Sequence, residues 1–173
     1  QMTYSPMREL IENLAKVAGD SLLDHFGKDL RLVKLRSSVK EAVTTYDKMA
    51  EELVVQEVRK IYPDHSLLTE ESGLLKGDPD WLWIVDSLDG TSDFANLNPL
   101  FSVCLALMHK GEIVLGVIYA PAINEFYLAE KGKGAYLNQR RIQVSEVSLL
   151  SQSYLFYCEG GEKDRLKTGK ILN

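Results

Sequence analysis

Long apolar runs are missing from this sequence: no stretch approaches the roughly 20 residues that a membrane-spanning helix requires. A basic excess is missing too. The net charge of −5 and pI near 5.3 argue against a non-specific binder of nucleic acid or a charged membrane surface. An anionic small substrate would have to be met by local cations. Cysteine is scarce: Cys104 and Cys158 lie far apart, too few for a disulfide scaffold and suited to a reducing cytosol. Cys104 falls in an apolar stretch, where a small buried thiol is expected. The histidines, His25, His65 and His109, stand in unrelated contexts without ligand spacing, which argues for structural or surface roles and against zinc. The first residues lack the basic-then-apolar order of a secretory signal, so the expectation is a cytoplasmic protein. Internal repeats, low-complexity tracts and an evident linker are absent as well.

What is present suits a folded domain. At 173 residues, 45% apolar and 26% charged, the chain can bury about two thirds of the surface its unfolded form exposes. Ser5-Pro6 reads as an N-cap followed by proline at the first helical position. Met7, Leu10, Ile11, Leu14, Val17, Ala18 and Leu22 then recur at helical spacing, predicting a helix to Phe26 that Gly27 ends. A mixed run, Leu30 to Leu35, and a polar stretch, Arg36 to Glu41, lead to Thr44 and Thr45, either of which could cap a second helix with the stripe Ala50, Leu53, Val54, Val58 and Ile61. Tyr62-Pro63-Asp64 stops it. From Ser66 the period shortens. Ser66 to Thr69 and Trp81 to Val85 read as strands, each ending at a carboxylate, with a turn-rich segment, Gly73 to Asp80, between them. Phe101 to Met108, Ile113 to Tyr119 and Glu125 to Ala129 form an antiparallel meander, and Ala135 to Val144 adds a hairpin around Asn138-Gln139.

Chemistry is concentrated in acids at the ends of these elements: Asp47 near the start of the second helix, Glu70 and Glu71 after one strand, Asp86 and Asp89 after another. Two carboxylates about 4 Å apart repel by about 4 kcal/mol at an effective dielectric of roughly 20, so a converging set must take up protons or bind cations. Oxygen-only ligands favour magnesium, manganese or calcium. Asp86-Ser87-Leu88-Asp89-Gly90-Thr91 adds a glycine that lets backbone approach a ligand and a threonine that offers a hydroxyl and an amide. Alone, such a loop reads equally as a solvated turn or a calcium loop.

The order of motifs narrows this. Val43-Thr44-Thr45-Tyr46-Asp47-Lys48-Met49-Ala50-Glu51, Thr69-Glu70-Glu71-Ser72 and Trp83-Ile84-Val85-Asp86-Ser87-Leu88-Asp89-Gly90-Thr91-Ser92-Asp93-Phe94 follow one another. Gly116-Val117-Ile118-Tyr119-Ala120-Pro121 and Gly132-Lys133-Gly134-Ala135-Tyr136-Leu137-Asn138 come after. Together they resemble the inositol monophosphatase family, within the lithium-sensitive, magnesium-dependent phosphatases, over about residues 7 to 147. The resemblance implies an α+β fold, two helices packed on an antiparallel β-sheet, the first layers of an αβαβα architecture. It makes residues 1–173 a single amino-terminal phosphatase domain, without the later Trp-Asp-x-Ala-Ala segment that completes the second metal site.

It also implies roles. Glu70, Asp86 and the Leu88 carbonyl would hold one Mg2+ (or Mn2+), and Asp86 and Asp89 would share a second. Glu70, Thr91 and Asp47 would be catalytic, Thr91 oriented by Asp47 to help activate a metal-activated water. Gly90, Thr91 and Ser92 would bind substrate, the first two through their amides. The implied reaction is hydrolysis of a small phosphate monoester such as inositol monophosphate or fructose 1,6-bisphosphate, by a homodimer when full length. Two alternatives stand beside it: a nucleotide 3′-phosphatase, whose usual Lys-Glu is replaced here by Ser92-Asp93, and a non-catalytic binding or regulatory module that kept the fold. The chain departs from the family pattern at Ser87, where proline is usual, at Asp93, where asparagine is, and at Glu41, where aspartate is. Ser87 is expected to loosen a turn that proline would stiffen.

Plainer readings apply elsewhere. Asp47 and Glu51, four apart, would by themselves be solvated acids near a helix start. Trp81, Trp83 and Phe94 read as core, and Lys131, Lys133, Arg140 and Arg141 as a solvated hairpin tip.

Overall fold

The structure, a computed structural model, describes residues 4–28 and 39–154, with side chains from residue 45 onward in the second of these spans. The expected run at Leu30 to Leu35, Cys158 and the side chains of Glu41, Val43 and Thr44 lie outside the described residues. The chain divides into two compact units, Gln1–Ile142 and Gln143–Asn173. The described part of the second holds a single 3-10 turn, Leu150–Gln152, with the Ser153 hydroxyl donating to the Leu149 carbonyl.

The first unit is built from helices α1 (Ser5–His25), α2 (Val39–Ile61) and α3 (Thr91–Ala95) and from one eight-stranded sheet. Its strands are β1 (His65–Thr69), β2 (Gly73–Leu75), β3 (Asp78–Asp89), β4 (Ser102–His109), β5 (Glu112–Ala120), β6 (Glu125–Glu130), β7 (Gly134–Leu137) and β8 (Arg140–Ile142). Their order across the sheet is β2-β1-β3-β4-β5-β6-β7-β8. The expected α+β architecture is therefore present, with boundaries shifted. Ser5 is the first helical residue of α1 rather than its cap, and Tyr4 takes the cap position. Helix α2 starts at Val39, well before the threonines expected to cap it, because Lys40, Glu41 and Ala42 are good helix formers. The segment expected as a turn, Gly73 to Asp80, contains β2 and the first residues of β3.

One pairing differs in kind. Strand β1 runs parallel to β3, with Leu67 opposite Trp83 and Thr69 opposite Val85, while every other neighbouring pair is antiparallel. An antiparallel pair would have placed the acids after β1 and β3 at opposite edges. Parallel pairing brings both carboxyl ends to one edge, where open α/β sheets commonly bind ligands.

The helices cover one sheet face. Trp83 and Val85 of β3, Val103, Leu105 and Leu107 of β4, and Leu115 and Val117 of β5 bury against Ile11, Leu14, Ala18 and Leu22 of α1 and Ala50, Val54 and Val58 of α2. Helix α1 lies so close to β5 that a Cβ on Gly19 would stand 2.5 Å from the Tyr119 ring. Trp83 and Phe94 are core residues as the sequence suggests, and Trp81 packs at the margin. On the opposite face, Ile84, Cys104, Ala106, Gly116, Ile118, Ala129 and Ile142 line an apolar hollow of about 400 Å³. No described helix is long and apolar enough to cross a membrane.

Candidate active site

Strand alternation sorts the residues of β3. Trp83, Val85 and Ser87 point towards the helices, whereas Ile84 and Asp86 point to the open face. Asp86 therefore stands beside Cys104, its cross-strand partner, at the edge of the apolar hollow. The ladder is irregular between Asp86 and Asp89, and Asp89 is exposed. Ser102 Oγ lies 3.4 Å from Asp89 Oδ2. Glu70 is exposed in the turn after β1.

Helix α2 reaches both acid-bearing loops. Asp47 and Glu51, expected to be solvated, are 3% and 2% exposed. Four residues apart, they lie on one face of the helix and act as two struts. Asp47 Oδ1 accepts the Ser87 hydroxyl at 2.8 Å, with the Asp47 carbonyl 3.2 Å from the same oxygen. The Glu51 carboxylate accepts the Glu71 amide at 2.9 Å and the Ser72 hydroxyl at 2.5 Å. The Ser72 amide also donates to Thr69 Oγ1. Sequence reasoning assigned no positioning role to Ser87 or Glu51. The alternation Trp83, Val85, Ser87 carried the signal for the first, and the spacing from Asp47 carried it for the second.

The charges are unbalanced. Burial pushes the Asp86 carboxyl up to about 6, and Glu70, Asp89 and Asp47 add repulsion, partly offset by a backbone hydrogen bond at Leu88. Burial likewise raises Asp47 to about 6, against the pull of the Ser87 hydroxyl and with Glu71, Glu70 and Glu51 pushing further. Asp86 Oδ1 is buried without a hydrogen-bond partner. Lys48, itself exposed, lies 3.9 Å from Glu71. An orphaned carboxylate oxygen among like charges fits an oxygen-seeking divalent cation. Among the described residues, however, no three Asp, Glu, His or Cys side chains stand close enough to enclose a metal ion by themselves.

The loop after Asp89 turns tightly. Gly90 has φ +84°, and a Cβ there would lie 2.8 Å from the Leu100 carbonyl oxygen, so glycine is required. Its carbonyl accepts the Phe94 amide and starts α3. Thr91 and Ser92 are exposed. The Thr91 hydroxyl donates to the Leu88 carbonyl at 3.1 Å. Asp93 serves the loop: its Oδ1 accepts Asn98 Nδ2 at 2.6 Å and its carbonyl accepts the Asn98 amide.

The remaining singled-out residues are structural in setting. His65 is stacked between Tyr62 and Trp81 and accepts the Trp83 indole N–H at Nδ1, while His109 stacks on Trp81. Lys131 pairs with Glu112 and Lys133 with the buried Glu130, so this basic cluster is partly neutralised. Burial opposes ionisation of Glu130, but hydrogen bonds from Lys133 and Arg8 outweigh it and hold its carboxyl below the ordinary value.

Comparison with known proteins identifies the family and the fold. The model of the inositol monophosphatase family matches residues 3–172. A fructose-1,6-bisphosphatase/inositol-1-monophosphatase of Thermotoga maritima is 41% identical over 160 residues, 92% of this chain and 59% of the relative. An inositol-1-monophosphatase of Mesorhizobium japonicum is 39% identical, covering 83% of this chain and 54% of the relative. The Nus factor SuhB of Pasteurella multocida is also 39% identical, over 81% and 53%. Among solved structures, inositol monophosphatase from Anabaena superposes with a TM-score of 0.75 at 34% identity, covering 88% of this chain and 54% of that one. The chain thus spans between half and three fifths of the length of these relatives.

Proposed function

Since the chain belongs to the inositol monophosphatase family, we propose that the protein hydrolyses small phosphate monoesters with the help of magnesium or manganese. The observation that carries this is Asp86, whose buried Oδ1 has no hydrogen-bond partner and whose carboxyl is raised among other acids at the shared edge of β1 and β3. In this reading Glu70, Asp86 and the Leu88 carbonyl would hold one cation and Asp86 and Asp89 would share a second, so that neither ion draws on more than two of the described side chains. When bound, such an ion lowers the pKa of water and neutralises charge on the phosphoryl group.

The rest falls to the chain. The Gly90 turn would present the Gly90 and Thr91 amides and the exposed Ser92 hydroxyl to phosphate oxygens. Asp47 and Thr91 position the attacking water, and Glu70 faces it as a proton acceptor. For that, the Thr91 hydroxyl turns from its bond to the Leu88 carbonyl towards the substrate. The names of the relatives favour inositol monophosphate and fructose 1,6-bisphosphate as substrates. A nucleotide 3′-phosphate ranks below them, because Ser92-Asp93 stand where Lys-Glu would, and Asp93 is spent on Asn98.

A second reading rests on the relative named as a Nus factor, which favours a regulatory binding role. One assay separates the two. A panel of phosphate esters is incubated with the whole protein, with and without chelator. The phosphatase reading expects release of phosphate that chelator stops and added magnesium or manganese restores. Equal release in excess chelator would overturn the metal assignment, and no release from any ester would favour the regulatory reading.

A further inference from the structure

Ser87 stands at the point where the family pattern has proline, and its surroundings give it a job that proline has no atom to perform. It is 1% exposed and sits on the helix-facing side of β3, between the proposed cation ligands Asp86 and Leu88. Its hydroxyl carries one proton, donated to Asp47 Oδ1 at 2.8 Å, and the Asp47 carbonyl is also within 3.2 Å of that oxygen. Asp47 is itself buried, 40 residues away in sequence, on a helix that makes no backbone pairing with β3. A hydrogen bond to a buried carboxylate is among the stronger kinds, and a carboxylate left without one in such a place is penalised.

The consequence is geometric. Ser87 is flanked by Asp86 and Leu88 and lies four residues before Thr91, so a bond from its side chain to α2 fixes the distance between the helix and the whole loop. It also decides which way the Asp47 carboxylate is turned. Sequence alone suggested that a serine here loosens the turn; the observed bond makes it a tether instead. We propose that Ser87 is a positioning residue that holds the Asp47 carboxylate against the Asp86 to Thr91 loop, in place of the stiffness a proline would give. This rests on the phosphatase reading for its catalytic meaning, and on geometry alone for the tether.

A double-variant cycle on the whole protein tests both. Ser87→Ala, Ser87→Cys, Asp47→Ala and the combination Ser87→Ala/Asp47→Ala are compared by urea unfolding and by hydrolysis of inositol monophosphate at saturating magnesium. Ser87→Cys keeps the side-chain volume but not the strong donor, which separates loss of the bond from loss of packing. The tether expects both Ser87 variants to lower kcat about tenfold or more, with KM and magnesium affinity within about twofold. It expects the combined variant to be no slower than Asp47→Ala alone, because each change removes the same contact. Losses in kcat that multiply would overturn the proposal and leave Ser87 a residue of simple packing. Hydrolysis that is unaffected by either Ser87 variant would also overturn it while the phosphatase reading stands. Should the wild type hydrolyse no ester, the phosphatase reading fails, and the unfolding midpoints decide the tether: non-additive shifts support it and additive shifts overturn it.

Discussion

At the scale of single residues, two side chains in one loop are given different work, and the difference is measurable. Thr91 carries a hydroxyl and no charge, so Thr91→Ala should lower turnover by about 10²- to 10⁴-fold while magnesium affinity stays nearly unchanged. Asp86→Asn removes a charge from the proposed ligand set and should weaken magnesium binding itself. Calorimetric titration of both variants checks this separation, and equal loss of magnesium by the two would contradict it. Asp86 also sets a pH dependence. Its carboxyl is raised to about 6 in the folded chain from an ordinary 3.8, so the folded form holds more protons between those values. Stability from this group is therefore greater at low pH and is lost as pH rises through about 6. In chelator, Asp86→Asn should melt above the wild type at neutral pH, with the advantage shrinking as the pH falls through that value. Magnesium should reverse the order, because only the wild type gains a strong ligand. A variant that melts below the wild type in chelator at neutral pH would refute the unbalanced charge.

At the scale of elements, the device that assembles the site is helix α2 laid across the carboxyl ends of two parallel strands. Asp47 is tied to the loop after β3 through Ser87, and Glu51 is tied to the turn after β1 through the Glu71 amide and the Ser72 hydroxyl. Each acid is buried, so each is a structural anchor as well as a charge. Glu51→Ala would leave an amide and a hydroxyl at the Glu70 turn without their acceptor. The expected cost is about 1–3 kcal/mol in unfolding free energy, with weaker magnesium binding through a loosened Glu70. Urea unfolding and a magnesium titration read the two effects. A stability within error of the wild type would mean that the turn after β1 holds itself in place.

At the scale of the molecule, the sheet among the described residues of the first unit is covered on one face and open on the other. The open face carries Ile84, Ala106, Gly116 and Ile118 around the hollow that Asp86 borders, and Ile118 is 46% exposed. Contiguous apolar surface of this kind draws partners. The chain's match spans only between half and three fifths of the relatives' length, and Asp86 stands at the edge of this face. A preparation of the 173-residue chain alone should therefore self-associate with rising concentration, bind magnesium weakly and turn over little or no phosphate ester. Analytical ultracentrifugation and the phosphatase assay check this together. A monodisperse chain with strong magnesium-dependent turnover would show that the face needs no cover and the site no further ligand.

The sequence by itself determined the class of the fold, the helical stripes of α1 and α2, the meander from β4 to β6 and the ordered acidic motifs that identify the family. These are local properties: the period of apolar residues and the short spacing of acids are fixed within one element or one loop. Only the tertiary structure decided that β1 and β3 run parallel, which is why Glu70 and Asp86 share an edge. It also decided that Asp47 and Glu51 are buried struts rather than solvated acids, and that the Ser87 hydroxyl donates to Asp47. Each of these depends on what lies opposite from elsewhere in the sequence, Thr69 to Val85, Glu51 to Glu71 or Asp47 to Ser87. A helical period states which face a side chain occupies, but burial of a polar group on that face is settled by whether another element arrives with a hydrogen bond for it.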